Sequence, residues 1–328
     1  MRTGYKMKYY IGVDGGGTKT AICAASEDAT EILSGITGSA SWREYGVSNV
    51  AVSIKKAIVD LPLKQDGQIA GIAMGLPYYG ESEEGDKKLE KAIRETFPDI
   101  ALYITNDVEA GWAGSLGLAP GINVVAGTGS IAFGKDESGM AARSGGWSEF
   151  FGDEGSCYWI GRKALEIFSK QADGRIPKDD LYDIFRKKLN LKNDIEIIDK
   201  VHRELGTNRD KVAALQLLAK DAALAGSKFA KSLYIQAAQE LCKMVTAIRD
   251  QLNFKNHPYR VSYSGGLYKA GDLILPHFKK AIESEGGNPV PPKHPPMHGA
   301  LLLAFEKTNP EGLTNLKKRL KKNKYGTT

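Results

Sequence analysis

The 328-residue sequence predicts an α/β protein built from two similar halves. Apolar strand segments alternate with amphipathic helical segments, which is typical of this fold class. A pattern of strand, glycine turn and strand at residues 9–25 recurs at residues 122–134, which indicates an internal duplication. The length fits two domains of ordinary size, and the composition, 42% hydrophobic and 26% charged, is that of a globular protein.

The first half begins with a predicted hairpin, formed by strands at residues 9–13 and 21–25. Further elements are predicted in the order strand 31–35, helix 50–61, strand 69–75, helix 87–97, strand 101–105 and a helix opened by Asn106, with Glu109 as its capping-box partner. This order predicts a mixed sheet, with the antiparallel hairpin followed by parallel strands.

The second half repeats the hairpin with strands at residues 122–126 and 131–134, and strand 260–264 follows much later. Between them we predict an insert of helices at residues 164–168, 181–189, 212–224 and 229–252. The predicted domains are 1–118, 119–296 with the helical insert, a C-terminal helix at 297–314 that returns toward the first domain, and a basic tail at 315–328.

The first glycine turn, Asp14-Gly15-Gly16-Gly17-Thr18-Lys19-Thr20, is a candidate phosphate site. It fits neither the P-loop spacing nor the dinucleotide fingerprint, because the required glycines fall on other residue types and a strand follows instead of a helix. Three consecutive glycines let backbone N–H groups approach a ligand closely. A carboxylate at the strand end, Asp14, would hold Mg²⁺ through water.

Two later glycine turns are candidate ligand contacts as well. The turn Gly127-Thr128-Gly129-Ser130 adds two hydroxyl groups that can donate to phosphate. The turn Ser264-Gly265-Gly266 again follows a predicted strand and precedes a predicted helix.

The charge and cysteine content limit the other function classes. The net charge of +6 comes from six basic residues between 317 and 324, so we expect a solvated basic tail and no nucleic-acid partner. No apolar run approaches the length of a membrane span, which predicts a cytoplasmic protein without a membrane partner. The three cysteines are scattered, and Pro295-Pro296 separates His294 from His298, so neither residue type predicts a metal site.

Five ordered motifs resemble the sugar-kinase/Hsp70/actin superfamily of ribonuclease-H-like folds. Within it, the sequence is similar to the N-acetylglucosamine kinases of the BadF/BadG/BcrA/BcrD ATPase family. The motifs are the turn at 14–20, Thr105-Asn106-Asp107, Ala126 to Ser130, Ser264 to Gly266, and Gly145-Gly146-Trp147 with Gly152 to Ser156. The resemblance implies two actin-like domains that face each other across a nucleotide and sugar cleft.

The resemblance also implies ATP- and Mg²⁺-dependent phosphorylation of an amino sugar, at its 6-hydroxyl, by a homodimer. Asp107 would be the catalytic base, although an acid in the first turn of a helix is also favoured by the helix dipole alone. Nucleotide contacts are expected from Asp14, Gly15, Gly16, Gly17, Thr18, Lys19, Gly127, Thr128, Gly129, Ser130, Ser264, Gly265 and Gly266. Sugar contacts are expected from Trp42, Gly75, Asp107, Thr128, Gly145, Gly146 and Asp153.

Two segments depart from this family pattern and leave the identity of the sugar open. Two other functions of related proteins are alternatives as well. Residues 39–42 and 75–81 differ where the sugar is selected, so N-acetylglucosamine, glucosamine, a muramic-type sugar or a related hexose all fit. An ATPase that activates a radical dehydratase or reductase would need cysteine ligands that are not in the expected places. A non-catalytic sugar sensor usually has a DNA-binding domain before the first turn, where this sequence has eight residues.

Overall fold

The computed structural model describes residues 6–206 and 208–322. The chain divides into two compact units. Unit 1 contains the residues up to 119 together with those from 292 onward, and unit 2 contains residues 120–291. Each unit contains one five-stranded mixed sheet, which confirms the predicted α/β class.

The strands of the two sheets appear in the chain in two groups of five. Unit 1 contains β1 (Lys8–Gly15), β2 (Thr20–Ser26), β3 (Ile32–Thr37), β4 (Gln68–Leu76) and β5 (Ala101–Asn106). Unit 2 contains β6 (Gly121–Ala126), β7 (Ser130–Lys135), β8 (Ala141–Gly145), β9 (Tyr259–Ser264) and β10 (Gly287–Pro289). The short strands β8 and β10 escape sequence analysis because neither carries an apolar run.

Twelve α-helices are described, and they complete both units. They are α1 (Trp42–Tyr45), α2 (Val47–Val59), α3 (Glu83–Thr96), α4 (Asp107–Leu116), α5 (Cys157–Ala172), α6 (Asp180–Lys188), α7 (Glu196–Lys200), α8 (Arg209–Ala225), α9 (Lys228–Arg249), α10 (Leu275–Ser284), α11 (Pro296–Thr308) and α12 (Leu313–Lys322). A π-helical turn at Val201–Leu205 and a 3₁₀ segment at Gly266–Leu273 interrupt this series.

The two sheets share one topology. The strand order is β3-β2-β1-β4-β5 in unit 1 and β8-β7-β6-β9-β10, read from the opposite end, in unit 2. In each sheet the first three strands are antiparallel and the last two continue in parallel. This correspondence, strand for strand, is what an internal duplication predicts.

In unit 1, glycines allow α11 to pack very closely on β1. A Cβ on Gly12 would lie 2.6 Å from the Cα of Leu301, so any larger residue would push the helix off the strand. The middle of this helix is wholly apolar, and residues 300–305 are all at most 1% exposed. Burial of a helix on all sides is typical of a central core element.

The predicted helical insert belongs to the core of unit 2. One hydrophobic cluster combines strand residues such as Ile122 and Val124 with helix residues such as Phe168 and Tyr234. The 22-residue helix α9 packs along β6, β7 and β8. Helices α5 and α8 pack in turn against α9, so the insert and the strands that carry the second glycine turn share one core.

The prediction of a solvated basic tail at residues 315–328 is wrong for the part that the structure describes. Residues up to Lys322 form α12, in which Leu316 and Leu320 are 0% and 2% exposed. Leucines at positions 313, 316 and 320 form an apolar stripe on one helix face, and the basic residues occupy the other face. Residues 323–328 lie outside the described part of the chain.

The boundary between the two units lies earlier in the chain than the predicted domain limit at residue 296. Residues from 292 onward belong to unit 1, where the N–H of Lys293 donates to the carbonyl of Ser115 at 3.0 Å. Pro296 then begins the helix, because proline at the first helical position loses no intrahelical hydrogen bond.

Candidate functional site

Two carboxylates lie at the edge of the unit 1 sheet where the parallel strands end. Asp14 in β1 is paired with Gly75 in β4, which in turn is paired with Thr105 in β5. Asp107 begins α4 directly after β5. The carboxyl ends of parallel strands are the usual ligand-binding edge of an α/β sheet.

The charge of Asp14 is poorly compensated. Burial, together with the nearby charge of Asp107, raises the pKa of this carboxyl to about 7, although Lys19 acts to lower it. An acid with such a pKa would gain from a cation, which would stabilise its ionised form.

The donor set at this edge fits Mg²⁺. Among the described residues, no group of three or more histidine, cysteine or acidic side chains could enclose a metal ion. Mg²⁺ is usually held by one or two carboxylates and keeps several waters, so the Asp14 carboxylate with Asp107 nearby is an adequate set.

Gly75 lets the start of α4 lie directly against the strand edge. A Cβ at this position would be 2.8 Å from the Cβ of Ala110 and 3.2 Å from the Cα of Asp107. We predicted a sugar contact at Gly75; the structure gives the residue a spacing role, because it keeps Asp107 close to the β4 end.

The first turn of α4 is fixed by side-chain hydrogen bonds. Asn106 accepts from the N–H of Val108 and donates to the carbonyl of Tyr79 at 2.7 Å. Glu109, which is 6% exposed, accepts from the hydroxyl groups of Thr105 and Tyr103. These bonds hold the backbone around Asp107 in one place.

The first glycine turn uses only part of its hydrogen-bonding capacity. The N–H of Gly16 donates to the carbonyl of Lys19 at 3.0 Å, and the hydroxyl of Ser39 donates to the carbonyl of Gly17 at 2.6 Å. Within the described residues, the N–H groups of Gly17, Thr18 and Lys19 have no acceptor. The open N–H groups of this turn are thus those of residues 17–19, whereas the Gly16 N–H of the predicted cradle is already engaged.

The second glycine turn also uses only part of its hydrogen-bonding capacity. The N–H of Gly127 donates to the carbonyl of Gly129, whereas those of Thr128 and Gly129 find no acceptor in the described part of the chain. The turn rests on the first residues of α5, because the N–H of Cys157 donates to the Gly127 carbonyl at 2.9 Å.

Ser130 is not placed to donate to phosphate as predicted. It is 3% exposed, its hydroxyl donates to the carbonyl of Glu154 at 2.7 Å, and its N–H donates to Asp153 at 3.1 Å. The hydroxyl of Thr128 donates to Asp210 at 3.0 Å in a more open position. Thr128 is therefore the hydroxyl of this turn that a ligand can reach.

The third glycine turn lies beside the second one. Ser264 ends β9 and is paired with Val125 in β6. Gly265 has a φ of +109°, and a Cβ there would be 2.6 Å from the carbonyl carbon of Ala126, so only glycine fits. A Cβ on Gly266 would meet open space, which leaves its surroundings accessible to a ligand.

Three of the predicted sugar contacts support the loops instead of exposing polar groups. Trp42 is 8% exposed and its Nε1 donates to the carbonyl of Pro77 at 2.8 Å, so it anchors the loop after β4. Gly145 and Gly146, with φ of +77° and +70°, pack against β7. Trp147, by contrast, is 63% exposed.

The predicted sugar ligand Asp153 is 2% exposed and forms an ion pair with Arg209. Arg209 and its neighbour Asp210 are not predicted as site residues, because nothing in the sequence connects the start of α8 with Thr128, which lies 82 residues before Asp210. The only local signal there is the N-cap Asn208, which identifies a helix start and no partner.

The three cysteines do not resemble cluster ligands. Burial raises the pKa of Cys23 to about 12 and those of Cys157 and Cys242 to about 11. They lie in β2, α5 and α9. An iron–sulfur cluster requires thiolates, which these surroundings disfavour.

In the described ranges, no helix is long and apolar enough to cross a membrane.

Comparison with known proteins identifies the family. The model of the BadF/BadG/BcrA/BcrD ATPase family matches residues 11–304. The chain belongs to this family. It is similar, at 30% identity over 288 residues, to an N-acetylmuramic acid/N-acetylglucosamine kinase of Clostridium acetobutylicum, with 84% of this chain and 90% of the relative covered. It is 28% identical to an N-acetyl-D-glucosamine kinase of Dictyostelium discoideum, covering 83% and 89%.

Solved structures show the same fold. A putative N-acetylglucosamine kinase of Chromobacterium violaceum aligns with a TM-score of 0.69 and 26% identity, covering 90% of this chain and 98% of the other. A glucokinase of the ROK family from Streptomyces griseus, solved with glucose and AMPPNP, aligns with a TM-score of 0.54 and 15% identity, covering 91% and 99%. The second likeness concerns the fold alone.

Proposed function

We propose that this chain is an ATP- and Mg²⁺-dependent kinase that phosphorylates a hydroxyl, the 6-hydroxyl, of an amino sugar. The observation that carries the proposal is the pair Asp14 and Asp107 at the strand ends of unit 1, next to a glycine turn with unused N–H groups. The names of the relatives support N-acetylglucosamine or a muramic-type sugar as substrate, and glucosamine stays open.

Asp107 is the proposed catalytic base. Phosphoryl transfer to an alcohol requires a group that accepts the hydroxyl proton, and a carboxylate of ordinary basicity suffices because the proton leaves late in a loose transition state. The hydrogen bonds of Asn106 and the absence of a side chain at Gly75 hold Asp107 at the strand edge.

Asp14 is the proposed holder of Mg²⁺, through water. The ion supplies charge neutralisation for the transferred phosphoryl group. Asp14 contributes a negative charge that burial has made unfavourable without a cation, and Lys19 adds a positive charge close by. The residues thus prepare a place for a cation before the nucleotide binds.

The phosphates are proposed to take the unused backbone donors. These are the N–H groups of Gly17, Thr18 and Lys19 in unit 1 and of Thr128 and Gly129 in unit 2. Adenosine would lie at Ser264 to Gly266, where Gly266 leaves open space. Backbone amides suit phosphate because they carry no counter-charge that must be displaced.

The sugar is proposed to contact Asp107 and the segment that begins at Gly145. Trp42 and Gly75 would influence it indirectly, through the loop after β4 and the position of α4. A cytoplasmic homodimer without nucleic-acid or membrane partners remains part of the proposal, and sedimentation of the purified protein would measure the oligomeric state.

The test combines a substrate screen with a base variant. The wild type is incubated with ATP, Mg²⁺ and each candidate sugar, and the product is read by mass. Asp107→Asn is expected to lower turnover by about 10²-fold or more while Mg²⁺–AMPPNP still binds in calorimetry. Asp99→Asn, an exposed acid in a turn, is the matched control. Near-normal turnover by Asp107→Asn would refute the assignment.

A further inference from the structure

An ion pair between a buried carboxylate and a partly exposed arginine lies beneath the second glycine turn. Asp153 is 2% exposed, and its two carboxylate oxygens are both used. Oδ1 accepts the N–H of Ser130 at 3.1 Å, and Oδ2 pairs with the guanidinium of Arg209. A polar group this deeply buried needs hydrogen-bond or ion-pair partners to offset the loss of water.

The ion pair leaves no room for a side chain at position 129 of the turn. A Cβ on Gly129 would lie 2.7 Å from Oδ1 of Asp153 and would collide with the guanidinium of Arg209. The ion pair therefore fills the space directly under the turn. Removing either partner would leave room for the turn to sink or shift.

The start of α8 holds the turn at a second point. Asn208 caps this helix by accepting the N–H of Lys211 at 3.0 Å, which fixes the orientation of the two residues between them. Asp210 then accepts the hydroxyl of Thr128 at 3.0 Å. Two consecutive residues of α8 thus hold the turn, Arg209 through its ion pair with Asp153 and Asp210 through the hydroxyl of Thr128.

The Arg209 guanidinium also forms an ion pair with a second acid, Glu149. Its side chain is 40% exposed, and its Nε lies 3.5 Å from Oε2 of Glu149. Glu149 belongs to the exposed segment that leads to Asp153, so Arg209 connects this segment, the turn and α8.

We propose that Arg209 is a positioning residue for the nucleotide, which acts through Asp153 on the second glycine turn. By neutralising Asp153, it keeps the Ser130 N–H engaged and leaves the N–H groups of Thr128 and Gly129 pointing to the ligand. The inference rests on the proposed function, because it assigns these N–H groups to the phosphates of ATP.

The test measures nucleotide and sugar separately. Arg209→Met is expected to weaken binding of Mg²⁺–AMPPNP in calorimetry, and to raise the KM for ATP, by about tenfold, the equivalent of one hydrogen bond. The KM for the sugar is expected to stay within about twofold of the wild type. Arg209→Lys should recover part of the loss, because it restores the charge without the planar fork. Arg203→Met removes an exposed arginine of the same unit as the control.

The double variant Asp153→Asn/Arg209→Met protects the test against simple unfolding. The amide oxygen of Asn can still accept the Ser130 N–H, and no buried charge is left unpaired, so the double variant should bind AMPPNP more tightly than Arg209→Met alone.

Two results would overturn the inference. In the first, the variants lower the KM for the sugar and leave AMPPNP binding unchanged, which would mean that Arg209 occupies a place that the sugar takes on Asp153. In the second, the double variant binds no better than Arg209→Met. A wild type that binds AMPPNP but phosphorylates no sugar would contradict the proposed function and leave this result interpretable.

Discussion

Asp14→Asn is expected to stabilise the metal-free protein at neutral and alkaline pH. Burial raises the pKa of Asp14 from its ordinary value of 3.8, which applies to the unfolded chain, to about 7 in the folded protein. Between these values the folded state binds more protons, so its stability falls as the pH rises from about 4 to about 7. Asparagine has no proton to release at any of these pH values. The wild type alone therefore bears this loss, which is complete above pH 7.

The magnitude follows from the size of the shift. A rise of the pKa from 3.8 to about 7 corresponds to a cost of about 4 kcal/mol for ionising Asp14 in the folded state. The side chain keeps some access to solvent, which screens the repulsion from Asp107. We therefore expect Asp14→Asn to raise the free energy of unfolding by roughly 1–3 kcal/mol at pH 8, and to change it little at pH 4.5.

The assay is thermal unfolding between pH 4.5 and 8.5, with EDTA or with millimolar Mg²⁺. Mg²⁺ should raise the Tm of the wild type at pH 8 more than that of the variant, because binding to the folded state alone is stabilising. Asp60→Asn, at an exposed position after α2, is the control for loss of one acid. The reasoning fails if Asp14→Asn has the same effect on the Tm at pH 4.5 and pH 8, or if Mg²⁺ stabilises both proteins equally.

Three further changes test individual parts of unit 1. Gly75→Ala should destabilise the protein by about 1–3 kcal/mol and lower turnover, because the added Cβ would lie 2.8 Å from the Cβ of Ala110. Unfolding and kinetic assays measure the two effects. Gly38→Ala, whose Cβ would meet open space, is the control and should change neither. Leu316→Ala should lower the free energy of unfolding in urea by about 2–3 kcal/mol, and no loss would contradict the docking of α12. Trp42→Phe should raise the KM for the sugar while that for ATP stays constant, because the carbonyl of Pro77 loses its donor; equal changes in both would argue against this role.

The sequence predicts most of the fold because the elements carry local signals. Strands β1, β2 and β6 are apolar runs next to glycine turns, and helix α3 has a clear amphipathic pattern. The missed element α12 has such a pattern too, with Leu316 and Leu320, but its many basic residues suggest a solvated tail. Charge and amphipathicity are separate properties, and only the second decides whether a helix packs.

The candidate site also contains some features that the sequence predicts and others that it does not. Asp14, Asp107 and the glycine turns lie where strands end, and this position can be read from the sequence alone. The burial of Asp153 and the engagement of Ser130 depend on partners 23 to 56 residues away in the chain. A motif identifies the residue types near a ligand, but the hydrogen bonds that each residue already makes decide which of them are free to bind it.

The duplicated sheets also explain why the acidic chemistry belongs to one half. By strand pairing, Asp14 and its neighbour Gly75 in unit 1 correspond to Val125 and Ser264 in unit 2. Strand β10 ends opposite Val261, three residues short of Ser264, so unit 2 has no strand end that corresponds to the one before Asp107. With an apolar residue in place of the acid, strand β6 brings no carboxylate to the second turn, and the acids beside this turn, Asp153 and Asp210, are engaged by Arg209 and by the hydroxyl of Thr128. If both turns bind phosphate as proposed, one topology supplies them both, and the acid at the end of β1 gives only the first turn a strand residue that could hold Mg²⁺.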